Sequence, residues 1–211
     1  MRIITISREF GSGGRELGKR MADALGWDYF DREVILRIAQ EQGMDADYVG
    51  AVLDRHPWQS MPLTFRSSFS AAYQDTQTNL LVKEKQIIDG IAKAGRDCVI
   101  VGRNADVYLA DRLPFSLFVC ADMPARIQRC RERGSADQMS DKDLERNIRR
   151  IDKNRAATRD MIGGRHWGDP TSYCMTVNTT DWEIKRLAPL MARFARHWFE
   201  QIHVPPKDPD D

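Results

Sequence analysis

The sequence predicts an α/β fold in which a parallel five-stranded sheet is flanked by helices in three layers. Two observations predict it. Short apolar runs alternate with segments of helical spacing, which is the order of a doubly wound fold. The runs also have the composition of central strands that are buried on both faces. The predicted strands are Ile3–Ser7, Trp27–Phe30, Cys98–Val101, Leu117–Cys120 and Met175–Asn178.

The segments between these runs have the spacing or composition of helices. They are Glu16–Leu25, Arg32–Gln42, a long region around Asp75–Ala94, Pro124–Arg133, Asp141–Asp160 and Asp181–Gln201. Prolines break any helix over residues 55–72, and we interpret this stretch as part of an inserted cap over about residues 44–94. We therefore expect a single domain over residues 1–203. The proline- and aspartate-rich tail, residues 204–211, is predicted to be disordered.

Charge, apolar run length and cysteine spacing indicate which partners and locations to expect for the protein. The 211 residues include 32 Lys and Arg against 31 Asp and Glu, for a net charge of +1. No overall field favours a polyanion, so we expect neither a nucleic acid polymer nor a membrane as partner. No apolar run approaches the length of a membrane span, which favours a cytoplasmic location. Buried reduced thiols are favoured over zinc or disulfides for the cysteines, which form no C-x-x-C pair: Cys98, Cys120, Cys130 and Cys174.

The first predicted strand runs directly into a glycine-rich turn and then a helix. Glycines at positions 11, 13 and 14 allow positive φ angles and bring backbone N–H groups close to an anion at the helix N-terminus. This order predicts a phosphate-binding loop, with a tight connection as the alternative. Gly14 stands where the pattern G-x-x-x-x-G-K-[ST] has lysine, and Arg15 follows it. We interpret Arg15 as the replacement for that lysine.

Two further strand ends carry charged residues. Asp31 and Arg32 follow the second predicted strand, and Gly102 and Arg103 follow the third. Open α/β sheets bind ligands at the carboxyl ends of their strands, and an arginine fork suits phosphate or carboxylate. The alternative is a helix-capping aspartate followed by surface arginines.

Arginines also recur at helical spacing further along the chain. Arg126, Arg129 and Arg133 share one helix face, and Arg155 and Arg159 share another. Joined by residues 134–140, these two stripes form a hairpin that we interpret as a mobile helical lid over about residues 134–165. For each arginine, a solvated surface position is the alternative.

Several segments resemble the P-loop nucleoside monophosphate kinases, and among them the cytidylate kinases and the cytidylate kinase-like group. The resemblance covers most of residues 1–180. Segments similar to cytidylate kinases are Ala24–Asp31, Val101–Asn104, Ile151–Arg155 and Val177–Thr180, and those similar to the cytidylate kinase-like group are Ile6–Glu16 and Trp167–Tyr173. The chain departs from the cytidylate kinase pattern at Gly14, Glu16, Val101 and Asn104.

The resemblance implies a three-layer P-loop kinase fold and ATP-dependent phosphorylation of a nucleoside monophosphate, CMP or dCMP first, with Mg²⁺. It implies nucleotide substrates as partners and leaves a homo-oligomer open. Ser12 and Glu16 are the expected metal ligands, and Glu9 is a further plausible carboxylate ligand. The alternative for Glu16 is an acidic residue of the first helical turn that the helix dipole favours. The expected roles are catalysis for Arg15, Arg155 and Arg159; ATP binding for Gly11, Ser12, Gly13, Gly14, Arg15, Glu16, Arg129 and Arg133; and acceptor binding for Asp31, Arg32, Arg103 and Asn104.

Two alternatives to this function stay open. One is a P-loop kinase of another small phosphorylated or hydroxylated metabolite. The other is a nucleotide-binding sensor without turnover, which the departures at Gly14 and Val101 favour.

Overall fold

The computed structural model describes residues 1–35, 70–102, 104–134, 139–163 and 166–202. Its chain divides into two compact units. The first combines Met1–Asp31 with Gly95–Asp211, and the second is Arg32–Ala94. Of the cap expected over about residues 44–94, residues 44–69 lie outside the described residues, and the remainder falls in the second unit. The predicted tail at 204–211 lies outside the described residues.

The first unit is built on a five-stranded parallel sheet in the order β2-β3-β1-β4-β5. The chain therefore moves out from β1 to one side and later crosses to the other. Between β1 and β4 the direction reverses, and ligands of such sheets bind outside the strand ends at this point. The strands are β1 Ile3–Arg8, β2 Asp28–Phe30, β3 Cys98–Val101, β4 Phe115–Cys120 and β5 Met175–Asn178.

Helices flank this sheet, which confirms the predicted α/β fold class. In the first unit they are α1 Gly14–Leu25, α3 Ala105–Tyr108, α4 Met123–Glu132, α5 Asp141–Ile162 and α6 Ile184–Ile202. The second unit contains α2 Ser70–Lys93, which begins before the predicted Asp75, and residues 32–35 are also helical. No helix in the described part of the chain is both long enough and apolar enough to span a membrane.

Alternate residues of the central strands face opposite sides of the sheet, and the core follows that alternation. Ile4 and Ile6 of β1 pack with buried residues of α1 and α6, among them Leu17 and Leu187. On the other face, Phe118 of β4 packs against the rings of Trp167 and Tyr173, at centroid distances of 5.2 and 5.0 Å. Apolar side chains on both faces explain why the strands read as nearly continuous apolar runs.

The cysteines are free thiols, and they differ in burial. Cys98 and Cys130 are buried, and burial raises the pKa of the Cys98 thiol to about 12. Cys174 is exposed, which corrects the prediction that it is a buried thiol. The reason is its position just before β5, a strand whose residues alternate between partly buried and exposed positions.

Candidate functional site

The glycine-rich loop connects the end of β1 to the start of α1. Gly11 and Gly13 adopt left-handed backbone angles, with φ of 80° and 83°. The Ser12 hydroxyl between them is buried and donates to the Glu9 carbonyl at 2.9 Å, while the Ser12 carbonyl accepts from Thr179 Oγ1 at 2.6 Å. One contact within the loop and one from Thr179, which follows β5, therefore fix the backbone around Ser12. The backbone N–H groups of the loop gather at a helix N-terminus.

Space as well as backbone angle requires glycine at these positions. A Cβ atom at Gly13 would lie 2.7 Å from Cδ1 of Ile184. At Gly11 it would lie 2.9 Å from the carbonyl oxygen of Arg126. The loop consequently has no room for side chains here.

An ion-pair network around the buried Arg126 holds the first half of the loop. Arg126 donates from Nε to the Phe10 carbonyl at 2.7 Å and pairs with Asp152, whose Oδ1 accepts from the Phe10 N–H at 2.8 Å. Glu9 completes the network, since it lies 3.3 Å from Arg126 and accepts from the Ala121 N–H at 3.0 Å. The first half of the loop is thereby tied to both α4 and α5.

Arg155 is one of the predicted catalytic residues, and the structure brings it to the loop. Its Nη1 donates to the carbonyl of Arg8 at 2.8 Å and lies 3.3 Å from Asp152. Its guanidinium also lies over the Phe10 ring, at 5.7 Å from the centroid. Arg155 therefore contacts the backbone where β1 gives way to the loop.

Arg159, the other predicted lid arginine, occupies a different environment. It donates to both carboxylate oxygens of Asp106, at 2.8 and 2.5 Å, and is only 2% exposed. Burial lowers the pKa of Arg159, but the hydrogen bonds and charge of Asp106 outweigh it and raise the pKa above its usual value. In this conformation its guanidinium is engaged with Asp106 and linked to α3.

A cleft of about 460 Å³ opens beside the helix end of the loop. It brings together the predicted ATP-binding residues Glu16, Arg129 and Arg133. Arg133 Nη2 lies 3.3 Å from Glu16, while Arg129 donates to the Thr179 and Trp182 carbonyls. Trp182, which also lines the cleft, is 47% exposed. The cleft thus combines cationic, acidic and aromatic groups next to the loop.

The end of β2 carries a second polar group. Asp31 is 3% exposed, and its Oδ2 accepts from Arg15 Nε at 2.8 Å and from the Tyr29 hydroxyl at 3.2 Å. Burial, with the charge and hydrogen bond of Asp31, raises the pKa of Tyr29 to about 12. The Arg15 side chain, half exposed, therefore contacts the predicted acceptor-side aspartate.

The remaining predicted acceptor residues are not all described. Asn104 precedes α3 with a left-handed backbone, at φ 51°. Arg32 opens the second unit, and Arg103 lies outside the described residues.

The predicted metal ligands Ser12 and Glu16 both contact other groups of the protein. The Ser12 hydroxyl is engaged with the Glu9 carbonyl, and Glu16 lies beside Arg20 and Arg133. Within the described ranges, no group of three or more His, Cys, Asp or Glu side chains could hold a metal ion. Mg²⁺ in phosphotransfer sites is commonly held by one or two carboxylates together with substrate phosphates, so Ser12 and Glu16 stay predictions.

Sequence reasoning missed several residues around the loop. Asp152 and Asp106 were not singled out as partners of arginines, although Asp152 lies within the motif at residues 151–155. The sequence also gives no local signal for a role of Arg8, because a polar residue commonly follows an apolar strand. Matching the standard loop pattern to Gly13 would have drawn attention to Arg8, since it occupies the position of the first glycine.

Solved structures share this fold over nearly the whole chain. An uncharacterized protein from Eubacterium ventriosum ATCC 27560 is 20% identical, with a TM-score of 0.66 over 93% of this chain and 99% of that one. Shikimate kinase from Bacteroides thetaiotaomicron is 15% identical, with a TM-score of 0.52 over 96% and 99%. A gluconokinase from Sinorhizobium meliloti 1021 is 15% identical, with a TM-score of 0.51 over 96% and 98%. At these identities the likeness establishes the P-loop kinase fold.

Sequence comparison identifies the family. No curated protein matches the chain. The model of the cytidylate kinase-like family, however, matches residues 3–181, which include the loop, the arginine-bearing helices and all five strands. The chain therefore belongs to the cytidylate kinase-like family of small-molecule kinases.

Proposed function

We propose that this protein transfers a phosphoryl group from ATP to a nucleoside monophosphate, with CMP or dCMP as the first acceptors to test. One observation carries the proposal. Arg15 and Glu16, consecutive residues in the first turn of α1, contact different groups: Arg15 contacts Asp31, and Glu16 contacts Arg133 at the cleft. The loop's helix end therefore has one polar group on either side, as a two-substrate phosphotransfer needs.

The donor is assigned to the cleft side. The triphosphate lies along the N–H groups of Gly11–Gly14, and Arg133 and Arg129 neutralise its oxygens. Trp182, partly exposed in the cleft, offers an aromatic surface to the base. Mg²⁺, when bound with ATP, offsets charge on the phosphates as it redistributes.

The acceptor is assigned to the side of Asp31 and Arg15. An aspartate that is nearly buried and held by Arg15 and Tyr29 is a fixed hydrogen-bond acceptor. An exocyclic amine or a sugar hydroxyl of the acceptor would donate to it. Arg32, Arg103 and Asn104 remain proposed acceptor residues on the strength of the sequence motifs alone.

The decisive experiment measures ADP release with ATP and Mg²⁺ across a panel of nucleoside monophosphates. CMP or dCMP should give the highest kcat/KM. A Gly13→Val variant should release no ADP, because a β-branched residue disfavours positive φ and fills the space against Ile184. Ligand-induced thermal stabilisation by ATP, measured in both proteins, links that loss to binding. Equal stabilisation would remove the loop from the donor site.

A second candidate function is phosphorylation of a different small metabolite. The fold observed here also carries shikimate kinase and gluconokinase, so shikimate and gluconate belong on the panel. Turnover with one of them and none with nucleotides would favour this candidate. ATP binding without ADP release on any acceptor would favour the nucleotide sensor.

A further inference from the structure

Arg8 and Gly14 show an exchange of residue types within the loop. Matched to Gly13, the pattern G-x-x-x-x-G-K-[ST] places its first glycine at position 8 and its lysine at position 14. This chain has arginine at the glycine position and glycine at the lysine position. The loop therefore keeps one cation and one small residue, but at each other's places.

The structure couples these two positions. A Cβ atom at Gly14 would lie 2.7 Å from Cβ and 3.1 Å from Cγ of Arg8, and 3.3 Å from Cβ of Val119. The aliphatic part of the Arg8 side chain therefore occupies the space that the Cβ atom of any other residue at position 14 would need. Gly14 does not have a positive φ angle, so its backbone conformation does not require glycine. The lack of space beside Arg8 does.

The far end of Arg8 reaches the neighbouring strand. A Cβ atom at Gly102 would lie 1.8 Å from Nη1 and 2.9 Å from Cζ of Arg8, so the guanidinium packs over the α-carbon of Gly102. Gly102 follows β3 and donates its N–H to the Ile6 carbonyl at 2.8 Å. The Arg8 side chain thus runs from the end of β1, past Gly14 of the loop, to the end of β3 at the sheet edge where ligands bind.

We propose that Arg8 replaces the loop lysine and that its guanidinium contacts the terminal phosphate of the bound nucleoside triphosphate. The proposal rests on the proposed function only for the identity of that ligand. A guanidinium fork approaching from strand β1 binds two phosphate oxygens at once, whereas an ammonium acts as a point charge. Arg155 fixes the base of this side chain, because its Nη1 donates to the Arg8 carbonyl.

This assignment differs from the sequence prediction for Arg15. Arg15 Nε donates to Asp31, and its side chain is half exposed. The Arg8 side chain instead lies directly against Gly14, the position at which the standard pattern has lysine. Arg15 is accordingly placed with the acceptor, and Arg8 with the transferred phosphate.

The test combines charge removal with restoration of the standard loop. Arg8→Met keeps much of the stem and removes the charge, and it should lower kcat roughly a hundredfold or more, as for loss of one preorganised electrostatic contact. Its affinity for ATP and for inorganic tripolyphosphate, measured by calorimetry, should also fall. Arg8→Lys should recover part of both. Arg96→Met is the matched control, since Arg96 is 71% exposed and pairs with Asp28 at the opposite end of the sheet.

Coupling between the two positions gives a second measurement. Gly14→Lys alone should destabilise the protein, because its Cβ would meet the Arg8 stem. Arg8→Gly with Gly14→Lys should restore stability, and should recover at least tenfold of the ATP affinity lost in Arg8→Gly alone. Additive losses in the double variant would overturn the inference.

The inference and the proposed function can fail separately. Binding of ATP and tripolyphosphate needs no acceptor, so weaker binding by folded Arg8→Met supports the inference even if no acceptor is phosphorylated. If the wild type phosphorylates CMP and Arg8→Met matches it in affinity and turnover, the function stands and the inference is overturned. Thermal midpoints of all variants show that the comparison is made between folded proteins.

Discussion

Arg133 and Arg159 occupy equivalent places in the sequence pattern, but their ion pairs have opposite environments. Each is the last arginine on its helix face and follows another arginine, Arg129 or Arg155, by four residues. Arg159 and Asp106 have side chains only 3% and 6% exposed and are joined by two hydrogen bonds, whereas Arg133 and Glu16 are 45% and 37% exposed with one contact at 3.3 Å. Helical spacing therefore does not reveal which arginine is available to a ligand.

The difference has an energetic consequence. Arg159 cannot turn to a phosphate without leaving the Asp106 carboxylate buried and unsatisfied, which is costly. Arg133 can leave Glu16 at little cost, because an exposed ion pair contributes at most about 1 kcal/mol. We infer that Arg133, rather than Arg159, is available to a ligand, and that Arg159 holds α5 against α3.

The largest effect is expected from breaking the buried pair. Arg159→Ala should lower the free energy of unfolding by about 3–5 kcal/mol, because Asp106 would keep an uncompensated buried charge. Urea unfolding followed by circular dichroism measures it. Arg149→Ala is the control, since Arg149 and Glu145 form an exposed pair on the same helix. If Arg159→Ala lowers the free energy of unfolding no more than Arg149→Ala does, the pair with Asp106 is not structural and the predicted catalytic role of Arg159 is favoured again.

The next effect concerns Arg155, which lies between the two extremes. Its side chain is 24% exposed, and it contacts the Arg8 carbonyl rather than a carboxylate alone. Arg155→Ala should lower kcat about a hundred- to thousandfold with a smaller loss of ATP affinity, since the loop and Arg8, which Arg155 positions, contribute most in the transition state. Single-turnover kinetics and calorimetry separate these quantities. Parallel losses in affinity and kcat would instead indicate a ground-state contact.

The predicted lid motion can be tested on helix α5, which carries Arg155 and Arg159. Hydrogen exchange over residues 139–163 should slow most when an ATP analogue and CMP are both present. Full protection with the analogue alone, unchanged by any acceptor, would favour the sensor.

The exposed pair should give a smaller effect. Arg133→Ala should weaken ATP binding roughly two- to fivefold, in line with an exposed ion pair, and leave unfolding unchanged. Titration calorimetry with ATP and Mg²⁺ measures the affinity. Arg131→Ala is the comparison, because Arg131 pairs with Asp141 and does not line the cleft. Equal affinities in the two variants would remove Arg133 from the donor site.

The sequence was sufficient for the sheet and for the loop because both depend on local signals. Apolar runs located all five strands, although only β1, β3 and β4 are buried along nearly their whole length, whereas β2 and β5 are partly buried or exposed. The strand ends were less accurate: β1 continues to Arg8, β2 begins at Asp28, and β4 begins at Phe115 although Ser116 interrupts its apolar run. The glycines at 11 and 13 were found because positive φ selects glycine.

The arginine partners could not be found in this way. Asp106 is 53 residues from Arg159, and Asp152 is 142 residues from the Phe10 N–H that it accepts. Such pairs arise only when helices pack, so helical spacing alone predicted a uniform lid. The contact of Arg8 with Gly14 and Gly102 likewise depends on the meeting of β1, α1 and β3.

The smallest effect comes from the mixed pair, in which a half-exposed Arg15 meets a buried Asp31. Burial, followed by the charge and hydrogen bond of Asp31, raises the pKa of Tyr29 to about 12. The unfolded chain loses this proton near pH ~10, so the stability that Tyr29 contributes is full below that pH and is lost as pH rises towards 12. Asp31→Asn should lower the pKa of Tyr29 yet leave it above its usual value, since burial remains. Difference titration of tyrosinate absorbance against Tyr29→Phe isolates this group. An unchanged pKa in Asp31→Asn would show that the carboxylate is not held against the hydroxyl, and would weaken its assignment as the fixed acceptor of the site.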